Sequence, residues 1–145
     1  MTHAALARDL LAVLCTGQGL GALAIDLNRT HATHPDWLRH ARFHVVWQAA
    51  SYALLALVEV ALALTAGPRQ EERFYLAAIL AGIPMLGFLL ALVGRRMYGG
   101  ALWDAKGIPP LQINVAGQKL RVELSVVAEI TAMLMLVAIV GLFSH

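Results

Sequence analysis

Four histidines lie close together in the sequence, at spacings that suit acid–base or metal chemistry. Residues 28–48, called the histidine stretch here, contain four of the six histidines, two of the three tryptophans and three arginines. His40, His44 and Gln48 follow one another at intervals of four residues, and Tyr52 continues the series. Because residues i and i+4 share one face of an α-helix, we expect these side chains to form a polar stripe. The spacing predicts that this stretch is the functional end of the molecule.

The sequence on both sides of this stretch is apolar. Hydrophobic residues make up 59% of the 145 residues and charged residues only 14%, with a mean hydropathy of +0.69, whereas a soluble domain has about 25% charged residues. Four apolar runs are each long enough to cross a bilayer core of about 30 Å if they form helices. In lipid, only helices or closed barrels provide hydrogen-bond partners for all backbone N–H and C=O groups. The sequence therefore predicts an all-α integral membrane four-helix bundle, a single domain over residues 1–145 with spans at about 10–27, 43–66, 74–94 and 120–143.

Charge and cysteine content exclude some classes of partner and of cross-link. The formal net charge is only +2, and no tail rich in lysine or arginine is present, so we expect membrane lipid and no nucleic acid as a partner. The single cysteine, Cys15, lies within the first apolar run. It cannot form an intrachain disulfide and is expected to be a small buried hydrophobe.

The connection between the third and fourth runs, at about residues 97–118, is too long for a turn and too apolar for a free loop. We expect an interfacial lid there, with Trp103 as its anchor. In a four-span bundle this connection lies on the same side as the histidine stretch. These two segments and the helix ends next to them carry eight of the eleven lysines and arginines: Arg29, Arg39, Arg42, Arg95, Arg96, Lys106, Lys119 and Arg121. The positive-inside rule then predicts an inner or plasma membrane protein with the histidine stretch on the cytoplasmic side.

Several polar side chains interrupt the apolar runs near the histidine stretch. An ionisable residue within a membrane span is costly and is by default a functional candidate. We predict that these side chains meet the stripe in one half-buried pocket. Its predicted catalytic residues are His44, Glu129, His40 and Asp26, and its predicted ligand-binding residues are Gln18, Trp47, Gln48, Tyr52, Glu123 and Trp103.

Glu59 is interpreted differently. It follows His44 by fifteen residues, which corresponds to about 22 Å along a helix toward the opposite side. We expect it to be structural, with Arg73 or Tyr75 as its partner.

The sequence resembles two groups of membrane proteins. Residues 34–44, HPDWLRHARFH, resemble an N/H-P-x-W-x-x-H-A-R/K-F-H signature that opens the second helix of small four-span membrane proteins of uncharacterised function. More distantly, the layout resembles the EXPERA group, which includes the emopamil-binding sterol isomerase and the sigma-2 receptor. In that group an acidic residue ends the first span, as Asp26 does here, and polar residues at i and i+4 open the second helix, as His40 and His44 do. This resemblance implies a carboxylate-lined pocket for a sterol-like or cationic ligand, to which Glu129 would contribute.

Three functions remain open. The favoured one is an enzyme or receptor for a lipophilic small molecule, in which a His/Glu pair transfers protons in an isomerase, cyclase or epoxide-opening reaction without a cofactor. The second is a metal-binding membrane oxidoreductase that holds Zn, Fe or Cu through His31, His34, His40 and His44. The third is an accessory subunit of a larger membrane complex, or a homodimer, since Gly17 and Gly21 have a spacing that allows close helix approach.

Overall fold

Four long α-helices dominate the computed structural model, which describes residues 2–103, 106–115 and 117–145. Each helix is long and apolar enough to cross a membrane, judged by length and composition. The predicted mostly helical class and its four apolar helices are therefore confirmed. The helices are α1 (His3–Asp26), α2 (Arg39–Leu64), α3 (Gln70–Gly94) and α4 (Leu124–Phe143).

Consecutive helices are neighbours in the bundle, and α1 also packs against α4. The contacts between α1 and α2 show that they run in opposite directions, because Arg8 reaches the carbonyl of Ala63 whereas Gly19, farther along α1, lies against Ala56. The end of α1 and the start of α2 therefore lie together with the end of α3 and the start of α4. We call this the histidine end, and the opposite one the terminal end.

The seam between α1 and α2 depends on Gly19. A Cβ atom at Gly19 would lie 2.7 Å from the Cβ of Ala56, which is closer than real side chains approach. The sequence pointed instead to Gly17 and Gly21, yet a Cβ at either position would meet nothing within 4 Å. Residues two positions apart lie on nearly opposite faces of a helix with 3.6 residues per turn. Gly19 thus makes the close contact within this chain, and the contact of Gly17 and Gly21 with another chain stays a prediction.

The terminal end is closely packed and closed by arginine. The rings of Phe74 and Phe143 stack with their centroids 3.7 Å apart. The Arg8 guanidinium donates hydrogen bonds to the carbonyls of Ala63 (2.7 Å) and Leu64 (2.6 Å) at the end of α2. The last carbonyls of a helix have no partner within the helix and carry partial negative charge. Arg8 satisfies two of them and ties α1 to α2.

A small β-hairpin precedes α4, which the all-α prediction did not include. Strands β1 (Leu111–Val115) and β2 (Gln118–Val122) pair in antiparallel fashion, with Leu111 opposite Val122. Polar and apolar residues alternate throughout β1 and from Lys119 to Val122 in β2, a period of two that is typical of strands. Gly117 supplies a positive φ of 83° between the strands. The fourth helix consequently begins at Leu124 rather than near residue 120, and Glu123 precedes it as the N-cap residue.

Candidate functional site

Residues 27–38 form a compact connection of turns between α1 and α2. His34 is buried, and its Nδ1 accepts a hydrogen bond from the backbone N–H of Asp36 (3.2 Å). Arg42 donates to the carbonyl of His34 (2.7 Å), which ties the connection to the first turn of α2. The rings of His31 and His34 both pack against Trp37, with centroid distances of 5.5 Å and 5.6 Å. His31 and His34 thus hold the fold of this connection.

These two histidines do not join His40 and His44 in a metal centre. Across residues 2–103, 106–115 and 117–145, no three His, Cys, Asp or Glu side chains are grouped so that they could hold a metal ion. The four-histidine ligand set that the sequence suggested is therefore not assembled, because the rings of His31 and His34 turn inward onto Trp37.

His40 and His44 meet on the surface of α2. Their Nε2 atoms lie 3.0 Å apart and their ring centroids 4.4 Å apart, with the rings nearly perpendicular. At this distance the N–H of one ring donates to the unprotonated nitrogen of the other, because a neutral imidazole has one donor and one acceptor nitrogen. One N–H···N hydrogen bond therefore joins the two rings.

Two exposed aromatic rings flank this pair. Trp47 lies 5.7 Å and Phe43 6.0 Å from the ring centroid of His44. Trp47 is 59% exposed and Phe43 62% exposed. We call His40, Phe43, His44 and Trp47 the histidine–aromatic patch. It combines a shareable proton with open aromatic faces at the start of α2.

The polar stripe continues along α2 beyond the patch. The Gln48 amide nitrogen donates to the Tyr52 hydroxyl at 3.4 Å, and Tyr52 is half-buried whereas Gln48 is exposed. The stripe therefore leads from the exposed start of α2 toward the interior of the bundle.

The predicted carboxylates lie at the same end but are separate from the patch. Asp26 is the last residue of α1, and Glu129 lies in the second turn of α4; both are half-buried. In the part of the chain that the structure describes, neither forms a side-chain hydrogen bond or ion pair with His44. A pocket shared by these groups stays a prediction. Glu123 lies at the N-cap of α4, and Trp103 is 5.9 Å from the guanidinium carbon of Arg121 on β2, within cation–π range.

Two grooves open between the helices. One, of about 280 Å³, follows the α1–α2 seam, and its lining is almost wholly apolar. The other, of about 240 Å³, lies at the histidine end beside α3. The seam groove is lined by Thr16, Gly19, Leu20, Leu23, Ala53, Ala56, Leu57 and Val60, and the second groove by Phe88, Ala91, Leu92, Arg95, Tyr98, Ala101, Leu102 and Ser125.

Glu59 lies in the interior of the bundle, and its expected partners are engaged elsewhere. Arg73 donates to backbone carbonyls after α2, including that of Ala66 at 3.1 Å, and the Tyr75 hydroxyl lies 3.4 Å from that of Ser144. The side chain of Glu59 instead lies next to that of Cys15 of α1. The sequence contained a signal for this position, because Glu59 follows Tyr52 by seven residues and thus shares the face of the polar stripe.

An ion pair joins the two connections at the histidine end. Lys106 Nζ donates to Asp36 Oδ2 at 2.5 Å. This hydrogen bond, together with the charge of the lysine, holds the pKa of the Asp36 carboxyl below its ordinary value of 3.8. The connection after α3 is thereby held against the connection after α1.

No protein family model matches this chain, and comparison with curated proteins and with solved structures finds no match either. The two resemblances found in the sequence therefore stay predictions, and the support for a function comes from the geometry of the chain itself.

Proposed function

We propose that this chain is an integral membrane protein that binds a lipophilic small molecule at its histidine end and transfers a proton to or from it. The membrane assignment is supported by the length and apolar composition of the four helices. The binding assignment is supported by the exposed aromatic rings of Phe43 and Trp47, which a ligand dissolved in lipid reaches without entering the bundle. An aromatic face also stabilises a cationic ligand or a developing carbocation.

The observation that carries the chemistry is the 3.0 Å contact between the Nε2 atoms of His40 and His44. With the pair in its singly protonated form, the imidazolium gives its proton to one carbon of an alkene and the neutral imidazole takes another proton from the adjacent carbon. The double bond then moves while the pair returns to its starting state, so the isomerisation consumes no cofactor. General acid–base catalysis of this kind contributes about 10²- to 10⁴-fold to a rate.

Photolabelling tests the binding part of this proposal. A diazirine-bearing alkyl amine would be added to the full chain in lipid vesicles, and the labelled residues mapped by mass spectrometry. We expect label at Phe43 and Trp47 that an unlabelled sterol-like amine competes away, with Trp47→Ala reducing it. Equal, uncompeted labelling of exposed α4 residues such as Leu134 and Val137 would instead show ordinary lipid contact and would contradict the proposal.

Metal-dependent redox chemistry is a second candidate, and the same contact favours it. Two imidazoles at i and i+4 can bind one Zn, Fe or Cu ion, with water, substrate or a second chain completing the coordination. If this function is correct, a stoichiometric metal should remain after purification and should be lost in both His40→Ala and His44→Ala. Substitution of His3, an exposed histidine at the terminal end, is the matched control.

We further propose that the histidine end faces the cytoplasm, on the basis of the lysines and arginines in its connections. An impermeant thiol reagent added outside intact cells should label a cysteine placed at Glu71 and spare one at Thr33, both of which are exposed. The native Cys15 is buried and gives little background. The reverse pattern would place the histidine end outside.

A further inference from the structure

A carboxyl group lies in the middle of the bundle, away from the histidine–aromatic patch. Glu59 is only 2% exposed, and its Oε1 atom has no hydrogen-bond partner among the described residues. Its other interaction is with the thiol of Cys15, which is itself fully buried. An ionised carboxylate in such surroundings is costly unless a cation balances it, and among the described residues no ion pair joins Glu59 to a cation. A protonated carboxyl avoids this cost.

Polar side chains lead to Glu59 from the histidine end. Tyr52 lies seven residues before Glu59 on the same face of α2, or about 10 Å away along the helix. Tyr52 in turn accepts a hydrogen bond from Gln48, one turn nearer the contact between His44 and His40.

Gln18 of α1 occupies the interval between Tyr52 and Glu59. Along the antiparallel seam, Gly19 lies level with Ala53 and Ala56, and Cys15 lies level with Glu59, which places Gln18 between these two levels. Its amide nitrogen donates to the carbonyl of Ala81 (3.2 Å), while its Oε1 is buried and has no partner among the described residues. Two buried oxygen atoms with unused acceptor capacity thus lie in succession, an arrangement that water molecules satisfy in proteins.

Toward the terminal end the surroundings of Glu59 change. Leu11, Ala63 and Phe74 are fully buried there, and Phe74 stacks on Phe143. The buried core residues from α3 and α4 are all apolar: Phe74, Ala77, Ala78, Ala81, Met85 and Ile139. Tyr75, a half-buried titratable residue beside this core, directs its hydroxyl to Ser144. Among the described residues, the titratable side chain next to Glu59 is Cys15. A charged group toward the terminal end, Arg8, has its guanidinium bound to the carbonyls of Ala63 and Leu64.

From this arrangement we infer that Glu59 is a proton-binding site that exchanges its proton with the histidine end through Gln18, Tyr52 and Gln48. In this inference water molecules bridge the intervals between these side chains, and the buried Leu11 and Phe74, with Arg8 held by the carbonyls of Ala63 and Leu64, close the opposite route. The ligand of the site is the proton itself. The inference is independent of the chemistry proposed for His40 and His44, because it depends on a different carboxyl group and on its burial.

Infrared spectroscopy of the full chain in lipid vesicles tests this inference. A protonated carboxyl has a carbonyl stretching band that is distinct from the bands of a carboxylate, and the band shifts when the proton is replaced by deuterium. We expect the band in the unmodified protein at neutral pH, its loss in Glu59→Gln, and its retention in Glu72→Gln, which changes an exposed glutamate of α3. If Glu59→Gln does not fold, Glu59→Asp provides the test, because it keeps a carboxyl group. It should show the carbonyl band at a shifted frequency.

The rate of the deuterium shift tests the path. After transfer to D₂O, Tyr52→Phe and Gln48→Leu should slow the shift of the Glu59 band several-fold, whereas Tyr98→Phe, at an exposed tyrosine beyond α3, should leave the rate unchanged. Absence of the band from the unmodified protein, or a band that persists in Glu59→Gln, would overturn the proton site. If the band shifts at the same rate in Tyr52→Phe, Gln48→Leu and Tyr98→Phe, the proposed path through Tyr52 and Gln48 is wrong.

Discussion

The two ends of the bundle differ in how they use aromatic and charged side chains. At the terminal end, Phe74 is fully buried and stacks on Phe143, and Arg8 is bound to the last carbonyls of α2. At the histidine end, Phe43 and Trp47 are exposed, and His40 contacts His44 one turn along α2. Packing at one end stabilises the bundle, whereas the other end leaves reactive groups accessible. This difference is what we expect of a scaffold that carries a site at one end only.

The largest expected effect separates these two kinds of aromatic residue. Phe74→Ala should lower the free energy of unfolding by about 3–5 kcal/mol, because it leaves a cavity where a ring is fully buried. Phe43→Ala is the matched control, and it should change stability by less than about 0.5 kcal/mol since the ring is mainly exposed. Thermal and denaturant unfolding in detergent measures both. Equal losses would mean that the histidine end is also part of the core.

A smaller effect is expected at the α1–α2 seam, which connects the two ends. Gly19→Leu should destabilise the protein by about 1–3 kcal/mol, because the added side chain collides with Ala56 and forces the helices apart. Gly17→Leu places the same side chain where nothing lies within 4 Å and should be tolerated. If Gly17→Leu proves the more harmful substitution in the same unfolding measurement, Gly17 contacts another chain, as the subunit hypothesis requires.

These predictions also show what the sequence alone could supply. The apolar runs determined the four helices, and the four-residue spacing placed His40 beside His44. The periodicity of one helix, however, contains no information on its register against the next. For that reason the sequence did not identify Gly19 as the close contact with α2, and it did not pair Glu59 with Cys15. The hairpin was missed because a short alternating segment adjoins the long apolar run that begins α4.

The smallest expected effect concerns the ion pair between the two connections. Asp36 has a lowered pKa in the folded chain, so its contribution to stability is present above its ordinary value of 3.8 and is lost as the pH falls through the lowered value. Lys106→Gln should raise the pKa of Asp36 toward 3.8, measured by carbon NMR of its carboxyl group, and should remove this acid-dependent loss. The effect on stability is slight, since the two side chains are 57% and 60% exposed.

Lys119→Gln is the control for this substitution. An unchanged pKa of Asp36 in Lys106→Gln would contradict the ion pair between Lys106 and Asp36.

The most direct measurement of the central proposal is deuterium transfer from solvent to a lipophilic molecule. The protein would be incubated in D₂O with a membrane lipid extract, and deuterium in the extracted molecules would be detected by mass spectrometry. If the His40–His44 pair transfers the proton, one lipophilic compound should gain deuterium, His40→Ala and His44→Ala should each slow this about 10²-fold or more, and neither His3→Ala nor a chelator should change it. Abolition by the chelator would assign the activity to a metal. Incorporation that is absent, or unchanged in His44→Ala, would contradict proton transfer at the histidine end.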